Sequence, residues 1–309
     1  MKKKISPIVW FSAGCLLTAI LVFAVSFRIT DKAESTVEVK QDGRLQYKWY
    51  IPELPKQISF AGEKVPLDRW DVREQFSREL LSNYYQHGTL LYILQLSSRY
   101  FPVIEQRLKA NGVPDDFKYL CVAESALRNQ TSPANASGYW QFVPATAERY
   151  GLEVNDQVDE RYNIVKSTDA ACKFLNEAYG KFGSWTAAAA SYNCGQGGYN
   201  KFVSYQHTTN SYYDIMLPEE TMRYVFRILA FKYLIGNSQQ MGFILNNIEQ
   251  YHPVKTKTID ITASVPDLAQ FAINNGSSYR MLKLLNPWLR DHELTVKPGK
   301  TYQVELPVN

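Results

Sequence analysis

Between Phe117 and Phe142 the chain reads FKYLCVAESALRNQTSPANASGYWQF, and Glu124 is the one acid between Phe117 and Leu127. If that stretch is helical, at about 100° per residue, then Phe117, Leu120, Cys121 and Leu127 fall within roughly 60° of Glu124. A carboxylate on such an apolar stripe is desolvated, which disfavours its charged form, raises its pKa and makes it a candidate general acid. Two plainer readings fit the same pattern: a helix in a slightly shifted register, or a Glu paired with an Arg distant in sequence. Cys121, Cys172 and Cys194 show neither CxxC spacing nor a neighbouring His, so no metal site is expected. They lie in apolar stretches as small hydrophobes, with one disulfide among them left open.

The elements that must position Glu124 read as helices. From Asp68 onward Trp70, Phe76, Leu80, Leu81 and Tyr84 recur at helical intervals, and Tyr92, Leu96, Tyr100, Ile104 and Leu108 continue the pattern. Gly112-Val113-Pro114 stops that run, and Asp115 and Asp116 suit the start of the helix carrying Glu124. The turn-rich NQTSPANASG then lets the chain fold back over it. Ser167 is expected to cap a helix through Ala178 that stops at Gly180, and Ser184 to cap WTAAAASYN, which GQGG at 195–198 ends. Ala187 to Ala190 allow close helix packing, with Tyr192 at the edge. Pro218 opens a helix whose buried stripe reads Met222, Val225, Phe226, Leu229, Tyr233 and Leu234 before Gly236. After residue 250 the pattern changes to strand, helix, helix, strand, a small separate β-α-α-β unit.

With 309 residues, 45% hydrophobic and 21% charged, the chain is long enough for one sizeable core plus that small unit. The net charge of +4 is dispersed beyond the N-terminal lysines, which argues against a nucleic-acid partner. Met1-Lys2-Lys3-Lys4 precedes an uncharged run, Ile5 to Phe27, that would reach roughly 34 Å as a helix against a hydrocarbon core of about 30 Å. The expectation is an uncleaved membrane anchor with everything after Phe27 exported; the alternative is a cleaved signal peptide. The organisation expected is an anchor or signal segment over 1–27, a linker over 28–44, a helical domain over 45–245 with its core at 95–205, and a module over 250–309.

Five motifs in order carry a resemblance: Glu124-Ser125; Ser132; Gly138-Tyr139-Trp140-Gln141; Asp159 to Arg161; and Ala190-Ser191-Tyr192-Asn193 with Gly195. They resemble the catalytic core of soluble-type lytic transglycosylases, sharply over about residues 95–205. The resemblance implies a mainly α, lysozyme-like catalytic domain in the periplasm, attached to the inner membrane through residues 5–27 and acting on peptidoglycan glycan strands without a cofactor. It implies that Glu124 serves as both acid and base, that Ser132 bonds Glu124 or substrate, that Gln141 and Asn193 contact sugar acetamido groups, and that Tyr192 orients Glu124. Tyr139 and Trp140 are expected to line a sugar groove by stacking, the alternative being that such aromatics are core. Unaided by the resemblance, Ser132 and Asn193 are good turn or cap residues, Gln141 an ordinary amide and Tyr192 a core ring. The C-terminal unit resembles a lysin motif (LysM), a peptidoglycan-binding βααβ fold, although ASVPDL replaces its usual Gly-Asp-Thr-Leu opening; it would bind glycan or act as a packing module.

Two other functions stay in view. A goose-type lysozyme would hydrolyse the same bond and needs a second carboxylate to activate water, with Asp156, Asp159 and Glu160 the candidates. A non-catalytic wall-binding protein would have little use for an acid on an apolar stripe.

Overall fold

A computed structural model describes residues 37–39, 45–47, 50–208 and 211–308. The apolar run 5–27 lies outside them, and among the described residues no helix is long and apolar enough to cross a membrane. The chain forms two compact units, Met1–Ile51 and Pro52–Asn309. In the first, β1 (Val37–Val39) pairs antiparallel with β2 (Leu45–Tyr47), so part of the stretch expected as linker is strand.

The second unit opens with a hairpin, β3 (Ser59–Phe60) and β4 (Glu63–Lys64), turning through Ala61 and Gly62 at φ 51° and 84°. Helices follow: α1 (Trp70–Tyr84), α2 (His87–Ala110), α3 (Phe117–Ser125), α4 (Pro144–Arg149), α5 (Ile164–Phe182), α6 (Trp185–Cys194), α7 (Gln196–Gln206) and α8 (Glu219–Gly236). Around α6 the fold closes. Ala187 to Ala190 are fully buried, so α5, α7 and α8 pack closely against its backbone. α8 lies along α1 and α3, burying Tyr224, Val225, Ile228 and Leu229 between them. This arrangement delivers Glu124 to the junction of α1, α3 and α8.

Several sequence expectations are corrected. Trp70, which opens the helical recurrence read from Asp68 onward, is 73% exposed because it is the first residue of α1 and precedes the packed turns. Ser167 lies inside α5; the cap is Asn163, whose side chain accepts from Val165 N and Lys166 N, and the stop is Gly183 at φ 68° rather than Gly180. Of GQGG only Gly195 breaks the helix, and α7 restarts at Gln196. α3 ends at Ser125, because Ala126 and Leu127 take left-handed φ of 52° and 58°. The three cysteines 121, 172 and 194 are free thiols.

The C-terminal module has the expected order: β5 (Thr256–Ile261), α9 (Leu268–Asn274), α10 (Tyr279–Leu285) and β6 (Tyr302–Pro307). Its strands pair antiparallel from Thr256↔Pro307 to Ile261↔Tyr302. It is not separate, however. Val158 and Tyr162 of the helical domain are buried in the module's own core beside Trp288 and Leu289.

Candidate active site

Glu124 sits in the last turn of α3 and faces a cleft of about 340 Å³. α1 supplies Glu79 and Asn83 to the walls, the chain after α3 supplies Arg128 and Gln130, and α8 supplies Arg223 and Arg227. The side chain is half-buried: protein packs around it, and one side stays open to the cleft. Desolvation pushes its pKa from 4.5 up to about 7, against the opposing pull of a Tyr224 hydrogen bond and the Arg227 charge. The Tyr224 hydroxyl donates to Glu124 Oε1, which leaves Oε2 as the oxygen to hold a transferable proton. Burial, then the Glu124 charge, raises the Tyr224 phenol well above its ordinary range, so it remains a donor.

Arg227 stays cationic because Glu220 and Glu79 outweigh the burial that works against its charge. Glu79 is 1% exposed and is held by Arg223 Nε at 2.6 Å and Arg227 Nε at 3.6 Å. A carboxylate so paired is poorly placed to activate water. The three carboxylates considered for a hydrolase stand no better. Asp159 pairs with Arg161, Glu160 accepts from Glu153 N at 2.9 Å and pairs with Lys166, and Asp156 is exposed; among the described residues none lines the cleft.

The motif residues divide. Tyr192 is half-buried among Trp140, Phe142 and Phe174, its hydroxyl donates to Trp140 O at 2.8 Å, and burial, with the Glu124 charge adding to it, raises its pKa. Asn193 Oδ1 accepts from Thr221 Oγ1 at 2.7 Å, tying α6 to α8 one turn from Tyr224. Gln141, at φ 51°, donates to Gln130 O at 3.0 Å and Gly138 O at 2.8 Å, so it braces the cleft wall from behind. Ser132 Oγ accepts from Ala136 N at 3.1 Å, which closes a turn.

Tyr139 and Trp140 are 5% and 0% exposed, and Trp140 Nε1 donates to Thr168 Oγ1 at 2.9 Å. Neither ring offers a face to a sugar; both are core, correcting the stacking expected of them. Tyr224 is the residue that sequence reasoning missed. Its signal is a hydroxyl at a fully buried helical position, which requires a partner.

Residues 101–215 match the transglycosylase SLT domain, and residues 257–309 match the soluble lytic transglycosylase C-terminal LysM-like domain. The chain thus carries an SLT domain followed by a LysM-like module. It is similar to membrane-bound lytic murein transglycosylase D of Escherichia coli strain K12 and to the same-named protein of Escherichia coli O6:H1, at 28% identity over 228 residues, 72% of this chain and 49% of each relative. The chain therefore spans about half the length of these curated relatives. Tyr224 lies beyond the matched 101–215 stretch, on the helix that closes over it.

Proposed function

We propose that this protein is a peptidoglycan lytic transglycosylase of the cell envelope, cleaving the β-1,4 bond between N-acetylmuramic acid and N-acetylglucosamine without water. The observation that carries this reading is Glu124, a half-buried carboxyl with a pKa of about 7, bonded on one oxygen by Tyr224 and open to a cleft on its other side. A group poised at neutrality exists in both protonation states, as a single acid/base requires. Protonated Oε2 gives its proton to the glycosidic oxygen as the C1–O bond breaks, releasing the N-acetylglucosamine 4-hydroxyl. The carboxylate then takes the proton of the muramoyl 6-hydroxyl, whose oxygen bonds C1. Glu124 returns to its protonated state, and the strand ends in 1,6-anhydro-N-acetylmuramic acid.

Tyr224 holds the acid in place, while Tyr192, Gln141 and Asn193 support the surrounding structure. The SLT match and the name of the relatives support murein as the substrate, and "membrane-bound" in that name supports an anchoring role for residues 5–27. Glu124→Gln keeps the hydrogen bond from Tyr224 but has no proton to transfer. Turnover of purified glycan strands should fall by about 10³-fold or more, while strand pull-down stays within a factor of about two. Near-normal turnover in this variant would remove the acid from its role.

A further inference from the structure

The segment from Glu153 to Tyr162 runs between the C-terminal module and the loop that follows the Glu124 helix. Toward the module, Val158 and Leu289 form an antiparallel bridge, Asp159 N donates to Trp288 O at 2.9 Å, and Arg290 N donates to Gln157 O at 2.8 Å. Thr295 N donates to Gln157 Oε1 at 2.8 Å, and Glu153 pairs with Lys300 and accepts from the Tyr302 hydroxyl. The Arg290 guanidinium lies 4.3 Å above the ring of Tyr162, which is 8% exposed.

Toward the loop, the same Tyr162 bonds Thr131 Oγ1 through its hydroxyl, and its carbonyl accepts from Asn129 Nδ2 at 3.0 Å. Next to it, Arg161 donates to Asn135 O at 2.8 Å and Phe142 O at 3.0 Å, held in place by Asp159. Tyr162 therefore has its ring in the module's core and its polar atoms on the loop that supplies Gln130 to the cleft.

We propose that Tyr162 is a positioning residue through which the docked C-terminal module holds the 129–142 loop, and with it the Gln130 wall of the Glu124 cleft. The loop has bonds of its own, among them Ser132 N to Ala136 O at 2.8 Å and Ser137 N to Phe142 O at 3.0 Å, and its position relative to the rest of the fold is set by further, external fastenings. Two of these, the bonds from Asn129 and Thr131, end on a residue whose ring is fixed by Trp288, Leu289 and Arg290. The module thus acts on the reaction without touching substrate. Only the kinetic readout below rests on the transglycosylase reading.

The test uses the full chain carrying Arg290→Ala, Arg290→Lys or Tyr162→Phe. Hydrogen exchange is followed at residues 129–142 with α8 as internal reference, and kcat and KM are measured on purified glycan strands. Loss of a cation–π contact made by an exposed guanidinium predicts loop exchange faster by about two- to fivefold in Arg290→Ala, with α8 unchanged. kcat should fall by a similar factor with KM little altered, and Arg290→Lys should restore part of both. Tyr162→Phe keeps the ring under Arg290 but loses the Thr131 bond, and should loosen the loop alone. The proposal is overturned if Arg290→Ala leaves loop exchange at the wild-type rate, or speeds α8 equally, as general destabilisation would. A wild-type protein inactive on strands would instead fail the functional reading, and the exchange result would still decide this one.

Discussion

Glu124 is populated in both protonation states near neutrality, and that is the source of its use. Burial lifts its pKa from 4.5 to about 7, so between those values the folded chain binds a proton that the unfolded chain releases. Stability is therefore full below about pH 4.5 and declines as pH rises to about 7, by roughly 3 kcal/mol, after which both states are ionised and no further loss accrues. Glu124→Gln removes the titration. Its stability relative to wild type, from denaturant midpoints, should climb across pH 4.5–7 by about that amount and be flat below. A pH-independent difference would mean that the carboxyl is not desolvated. The acid itself was legible in the sequence because one charge interrupts an apolar helical stripe. Its partner was not, since Tyr224 stands 100 residues away on another helix and local periodicity carries no pairing information. The stacking expected of Tyr139 and Trp140 fails for a related reason: an aromatic side chain has the same identity whether it faces a groove or a core.

At the level of elements, the helices that carry the site are fastened by groups far from them in sequence. The N-terminus of α6 is capped by Ser184, as its position predicts, but also by Glu63 of the β4 strand. Glu63 accepts from Trp185 N at 2.6 Å, Thr186 N at 3.0 Å and Ser184 Oγ at 2.9 Å. A carboxylate there satisfies orphan amides and opposes the positive end of the helix dipole. Glu63→Ala should destabilise the protein by about 1–3 kcal/mol in denaturant melts, whereas an effect below about 0.3 kcal/mol would show that Ser184 alone suffices. Gly138 fastens differently. At φ 81°, a Cβ there would lie 1.8 Å from Arg161 O, so Gly138→Ala must displace the loop and should lower turnover more than it lowers the melting point of the helices. Helix existence was readable from apolar spacing, and boundaries less so. Asn163 and Ser167 are both good caps, and the helix took the earlier one because Ile164 and Val165 already belong to its turn.

Across the Pro52–Asn309 unit, the β-α-α-β order of the module could be read from its change of pattern after residue 250. Its docking could not, because Val158 and Tyr162 sit in a short irregular segment ending in one 3-10 turn, whose apolar residues show no period and reveal their role only beside Trp288 and Leu289. The molecule that results places Glu124 at a junction of three helices; Glu79, which shares its cleft, is paired with Arg223 and Arg227, while Asp159 and Glu160 are engaged by Arg161 and Lys166. On the proposed transglycosylase reading, these pairings favour ring closure over hydrolysis. The direct measurement is mass analysis of the products released from purified glycan strands at neutral pH. A single acid/base at Glu124 predicts 1,6-anhydromuramoyl ends, one water lighter than hydrolysis products. Reducing muramoyl ends would show that a second group activates water, and would contradict the account.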